Sequence, residues 1–148
     1  MLQINKLTDY ATIILSFLAL RPEKKFSANG IAEKTSIAAP TVSKLLKLLS
    51  KYGLVISFRG TEGGYQLARS ATQMTLADVI TAIEGNMAIT ECCATYTCTL
   101  NSLCAVKDNW QFINKKIIAA LASITIHDMI RPLAGHSIAL RGIPIMVK

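Results

Sequence analysis

Residues 27–53, SANGIAEKTSIAAPTVSKLLKLLSKYG, decide the fold. Ser27 is placed to cap a short helix running through Lys34, with Ile31 and Ala32 as its apolar positions. A turn over 35–39 follows, and Pro40 stands where the first turn of a helix tolerates a residue without an N–H. Val42, Leu45, Leu46 and Leu49 then form one apolar stripe at helical spacing, while Lys44, Lys47 and Lys51 fall on another face. Gly53 suits the end of that helix. Two short helices across a tight turn, the second amphipathic and opening on small polar residues, describe a helix-turn-helix.

The flanks extend this unit. Residues 54–58 are rich in Val, Ile and Phe, 59–64 (RGTEGG) form a turn cluster, and 65–68 return as a second strand. A hairpin directly after a helix-turn-helix is a wing. Upstream, Thr8 is expected to cap a helix carried by Ala11, Ile14, Leu15, Leu18 and Ala19 and ended by Pro22. Downstream, Thr75 and Asp78 have the spacing of a capping box, for a helix that buries Leu76, Val79, Ile80 and Ile83 and closes at Gly85. A longer helical pattern spans 106–124 through Trp110, Ile113, Ile117, Ala120, Leu121 and Ile124. The expected architecture is mainly α with a small β-hairpin. It comprises a winged helix-turn-helix over 1–85, a cysteine loop over 86–104, a long dimerisation helix within 105–130 and an irregular tail over 131–148.

Composition narrows the function. The 148 residues are 51% hydrophobic and 17% charged, which excludes global disorder. Aromatic content of 6% argues against a base-stacking surface of the RNA-recognition kind. Mean hydropathy is high at +0.40, but no apolar run approaches the roughly 20 residues of a spanning helix. The first nine residues lack the pattern of an export signal. A cytoplasmic protein with no membrane partner is expected, its surplus apolar surface serving a subunit interface.

The net charge is +7. Between Lys34 and Arg69 six basic residues (Lys34, Lys44, Lys47, Lys51, Arg59, Arg69) face one acid, Glu62, so +5 falls in the window that holds the second helix and the wing. A lone lysine stripe is usually a solvated helix face. Agreement of helix-turn-helix, wing and charge points instead to double-stranded DNA, whose phosphates release counterions when neutralised. Pro40, Thr41, Ser43, Lys44 and Lys47 are the expected recognition-helix contacts. Ser27 at the preceding helix, and Arg59 with Gly60 at the wing tip, complete the expected DNA-binding set.

All four cysteines, Cys92, Cys93, Cys98 and Cys104, lie within 13 positions. Cys92, Cys98 and Cys104 are separated by equal gaps of five residues. Thiolates suit zinc, copper(I) or iron–sulfur clusters, yet the gaps differ from the closely paired knuckles of structural zinc sites. A loop of this kind can wrap a larger inorganic core. The two histidines, His127 and His136, stand in no nucleophile–base motif, so no enzyme activity is expected.

Taken together, these stretches resemble the winged helix-turn-helix iron–sulfur regulators typified by IscR and NsrR, over residues 1 to 130. The carriers are Leu7-Thr8-Asp9-Tyr10-Ala11, Pro40-Thr41-Val42-Ser43-Lys44-Leu45-Leu46, Arg59-Gly60 with Gly63-Gly64-Tyr65, and Cys92, Cys98 and Cys104. Thr90-Glu91-Cys92-Cys93, Asn109-Trp110 and Asp128-Met129 most resemble the proteobacterial, SufR-like branch that regulates the sulfur-mobilisation pathway of cluster assembly. The resemblance implies a homodimer held by the long helix, a palindromic operator, and an iron–sulfur cluster, [2Fe–2S] in preference to [4Fe–4S], on Cys92, Cys98 and Cys104. IscR-like members take a histidine as fourth ligand where this chain has Lys107. NsrR-like members use an aspartate from the partner's first helix, and Asp9 matches that position; Cys93 is the other candidate. The implied function is a repressor of cluster-assembly genes that senses cluster supply. A nitric oxide or redox sensor of the same family, a cluster carrier without a DNA role, and a zinc-stabilised DNA-binding module are the alternatives.

Overall fold

The computed structural model describes residues 4–94, 98 and 103–131. Of the expected irregular tail over 131–148 all but Arg131 lies outside the described residues, as do 95–97 and 99–102 of the cysteine loop. The ordered elements are helices α1 (Lys6–Ala19), α2 (Ala28–Thr35) and α3 (Ala39–Lys51), strands β1 (Val55–Phe58) and β2 (Gly64–Leu67), then a short 3-10 turn (Ala71–Gln73). Helices α4 (Leu76–Glu84), α5 (Lys107–Ala122) and α6 (Ile126–Met129) complete them. The fold is mainly helical with one two-stranded antiparallel sheet, a winged helix-turn-helix.

The apolar stripes read from the sequence meet in one core. Ala11, Ile14, Leu15 and Leu18 of α1, Ile31 of α2, and Val42, Leu45, Leu46 and Leu49 of α3 are buried together with Met74, Val79 and Ile126. Each fully buried aliphatic side chain contributes about 1.5–3 kcal/mol relative to exposure. Ser27 caps α2, its hydroxyl accepting from the Gly30 N–H. At the other end of α2, Ser36 adopts a left-handed conformation (φ 57°), which turns the chain into α3. Pro40 lies in the first turn of α3, and the Thr75–Asp78 capping box opens α4.

Three features differ from expectation. The cap of α1 is Asn5, whose side chain accepts from Leu7 N–H. Thr8 lies inside the helix, is buried, and spends its hydroxyl on the Glu84 carboxylate of α4 at 2.5 Å. The last helical pattern, expected over 106–124, is followed by a further short helix that the pattern did not include. α5 ends at Ala122, and a second capping box, Thr125 with Asp128, starts α6. That restart delivers Ile126 into the core, with Ile126 N–H bonded to Met74 O at 2.8 Å and a bridge between Thr75 and Thr125. The third difference lies in α5 itself. Its one buried residue is polar Asn114, while Trp110, Phe112 and Ile113 are exposed. Among the described residues, no helix is long and apolar enough to cross a membrane.

Candidate nucleic-acid interface and cysteine loop

Burying Val42, Leu45, Leu46 and Leu49 fixes the rotation of α3 about its axis, and so fixes what it shows to solvent. Pro40, Lys44, Lys47 and Lys51 are exposed, and Thr41 and Ser43 are half-buried at its N-terminal end. The three lysines recur at helical spacing on the face opposite the core. Among the described residues the one ion pair is Arg69–Asp78, at 2.8 Å. The α3 lysines and Arg59 therefore carry uncompensated charge, whereas Arg69, one of the six basic residues of the sequence window, is tied to the start of α4.

The wing pairs Val55 with Leu67 and Phe58 with Gly64. Its tip turns at Gly60 (φ 100°) and closes through Gly63 N–H to Gly60 O at 3.0 Å. A Cβ on Gly63 would lie 2.5 Å from Phe58 O, so the turn needs glycine there. Arg59 and Gly60 are exposed at this tip. Lys47, Ser50 and Lys51 of α3 and Ser57 and Tyr65 of the wing line a shallow cleft of about 300 Å³ between the two elements.

The cysteine loop leaves α4 at Gly85 and is bound to α5 by side chains. Asn114 donates to Met87 O and accepts from Ile89 N–H, both at 3.1 Å. One turn earlier, Gln111 donates to Cys92 O at 3.3 Å. Thr90 O accepts from the N–H groups of Cys93 and Ala94, which folds the chain into a turn. The Thr90 hydroxyl lies 3.1 Å from the sulfur of Cys92 and 3.2 Å from that of Cys93. All four cysteines are half-buried, free thiols.

Four unpaired soft donors in one short loop fit a thiophilic metal or cluster by their chemistry. Among the described residues, no three His, Cys, Asp or Glu side chains converge as a metal site. Asp9 is exposed in the first turn of α1, and Lys107 is the first residue of α5. Sequence reasoning missed Asn114, Gln111 and Glu84. The position of Asn114 between Ile113 and Ile117 of the α5 pattern was the available signal for the first.

Residues 4–132 match the Rrf2 family, described as an iron-dependent transcriptional regulator. The transcriptional regulator NsrR of Shouchella clausii is 29% identical over 132 residues, 87% of this chain and 89% of that protein. The solved structure of IscR from T. potens superposes with a TM-score of 0.65 at 30% identity, over 86% of this chain and 85% of that one. CymR, the global cysteine regulator of B. subtilis, superposes with a TM-score of 0.69 at 26% identity, over 88% of this chain and 97% of that one. These relatives are transcriptional regulators and not enzymes.

Proposed function

Because the chain belongs to the Rrf2 family of transcriptional regulators, with NsrR and IscR among its relatives, we propose that it is a dimeric DNA-binding repressor of iron–sulfur cluster assembly genes that responds to cluster supply. The observation carrying this reading is the position of the cysteine-bearing segment. It leaves the winged unit at the end of α4 and is hydrogen-bonded along α5 through Asn114 and Gln111. Any change of order in that segment is thus mechanically connected both to the recognition unit and to the helix whose apolar side chains, Trp110, Phe112 and Ile113, stand exposed and suited to a second copy.

Cys92, Cys98 and Cys104 would hold the cluster, with Cys93 or Asp9 of the partner subunit as the fourth ligand. When bound, the cluster supplies an oxidation-sensitive thiolate-ligated tether across the loop. The chain's own residues do the rest. Val42, Leu45, Leu46 and Leu49 hold α3 with Thr41, Ser43, Lys44 and Lys47 outward, Arg59 and Gly60 extend the wing, and Ser27 stands at the start of α2. In a dimer, two such units must present α3 to half-sites about one helical turn apart, ~34–36 Å. The path from the loop through α4 and α5 is the route by which the cysteines bear on that separation.

The exposure of Asp9 supports a second reading, a nitric oxide or redox sensor in which Asp9 reaches the partner's cluster. Iron and acid-labile sulfide assays on anaerobically purified protein, paired with gel shifts on its own upstream DNA, test both readings. Iron and sulfide in the wild type, lost in Cys98→Ala together with altered DNA affinity, support a cluster sensor. Loss of DNA binding on nitric oxide exposure, with no response to iron limitation, selects the second. Zinc in place of iron and sulfide contradicts both.

A further inference from the structure

We infer that Lys25, on the loop between α1 and α2, is a phosphate-contacting residue that extends the DNA interface beyond α3 and the wing tip; this rests on the DNA-binding reading above. The sequence places three basic side chains, Arg21, Lys24 and Lys25, in this loop against one acid, Glu23. On periodicity alone it is a connector. The structure fastens it along the β2 edge of the wing. Phe26 N–H donates to Tyr65 O at 3.1 Å, and Tyr65 N–H donates to Phe26 O at 2.8 Å, so Phe26 pairs with β2 as an added strand residue. Gln66 also donates to Pro22 O, which fastens the start of the loop to the same strand.

This registry sets Lys25 against the last residue of β1. Its Nζ lies 4.3 Å from the centre of the Phe58 ring. Phe58 directly precedes Arg59, and Ser27, two residues after Lys25, caps α2. A cation over an aromatic face keeps its full charge while losing much of its positional freedom. The ammonium takes part in no ion pair among the described residues, where Arg69–Asp78 is the only one. An unpaired, pre-positioned cation between the α2 cap and the wing tip has the chemistry of a phosphate contact, and a backbone contact of this sort weakens binding to all sequences alike when lost. It also gives a use for Phe58, a large apolar side chain that is 37% exposed.

The test is the salt dependence of DNA affinity for wild type, Lys25→Ala, Lys25→Arg and Phe58→Leu. Each full-length protein is titrated against its upstream duplex and against a scrambled duplex of equal length. Lys25→Ala is expected to lower affinity several-fold on both duplexes and to reduce the slope of log K against log salt by about 0.9 per protomer. Lys25→Arg is expected to keep the wild-type slope, and Phe58→Leu to lose affinity by a smaller factor. An unchanged slope in Lys25→Ala, beside a strongly salt-dependent wild type, overturns the role of Lys25 and leaves the DNA-binding reading intact. A wild type that binds neither duplex overturns that reading as well.

Discussion

The side-chain carbonyl of Asn114 accepts a hydrogen bond from the backbone N–H of Ile89 at 3.1 Å, joining α5 to the segment that leads into the cysteine loop. The same carboxamide donates to Met87 O. Asn114 is 8% exposed, and the segment it holds is half-buried at Met87 and Ile89. Asn114→Leu keeps the branch at Cγ and removes both bonds. The expected cost is about 1–3 kcal/mol of unfolding free energy, from two hydrogen bonds at about 0.5–1.5 kcal/mol each. Urea denaturation measures it, and amide exchange at Ile89 is expected to accelerate.

A second long-range contact fixes the last residue of α4. The hydroxyl of Thr8 and the backbone N–H of Asn5 both donate to one carboxylate oxygen of Glu84. Thr8→Val leaves the shape and removes the donor, with an expected loss of about 1–3 kcal/mol because the acceptor is charged. Thr8→Ser is expected to retain most of it. Thermal unfolding of the two variants side by side separates the hydrogen bond from packing.

The wing is expected to fail locally when Gly63 gains a side chain. Its Cβ would press on the carbonyl oxygens of Phe58 and Gly60, at 2.5 and 2.8 Å, and backbone cannot yield as a flexible side chain does. Gly63→Ala should weaken DNA binding at least several-fold. The melting temperature should change by only a few degrees, because the core of α1, α3 and α4 does not include this turn.

Charge alone does not decide which basic residues meet DNA. Arg69 is engaged with Asp78, whereas Lys47 is unpaired and exposed on α3. Arg69→Ala is expected to leave the slope of log K against log salt unchanged, while Lys47→Ala reduces it by about 0.9 per protomer. Equal slopes for the two variants would contradict this division of the basic window.

What was legible in the sequence was local. Ser27, Pro40 and the Thr75–Asp78 box are caps and turns whose signals span a few residues, and the stripe from Val42 to Leu49 states its period directly. The misplaced start of α1 shows the limit. Asn5 and Thr8 are both credible caps, and what separates them is Glu84, which lies 76 residues from Thr8. The short helix opened by Thr125 was hidden for a related reason, since four residues are too few to show a helical period and the partner that fixes them, Met74, is distant in the chain. In the candidate site, the spacing of Cys92, Cys98 and Cys104 was readable. The clamp of Asn114 on Met87 and Ile89 was not, because hydrogen bonds to backbone carry no residue code. Lys25 stayed hidden because its significance depends on the pairing of Phe26 with Tyr65.

On the proposed function, the cysteines control the DNA interface. The most direct test of this control is the affinity of the anaerobically purified protein for its own upstream DNA, measured by titration before and after iron is removed with a chelator. A change of about 5–150-fold is expected, the usual range of coupling between two sites, and Cys98→Ala is expected to abolish the difference. Equal affinity before and after, in protein shown to have carried iron and sulfide, would contradict this control.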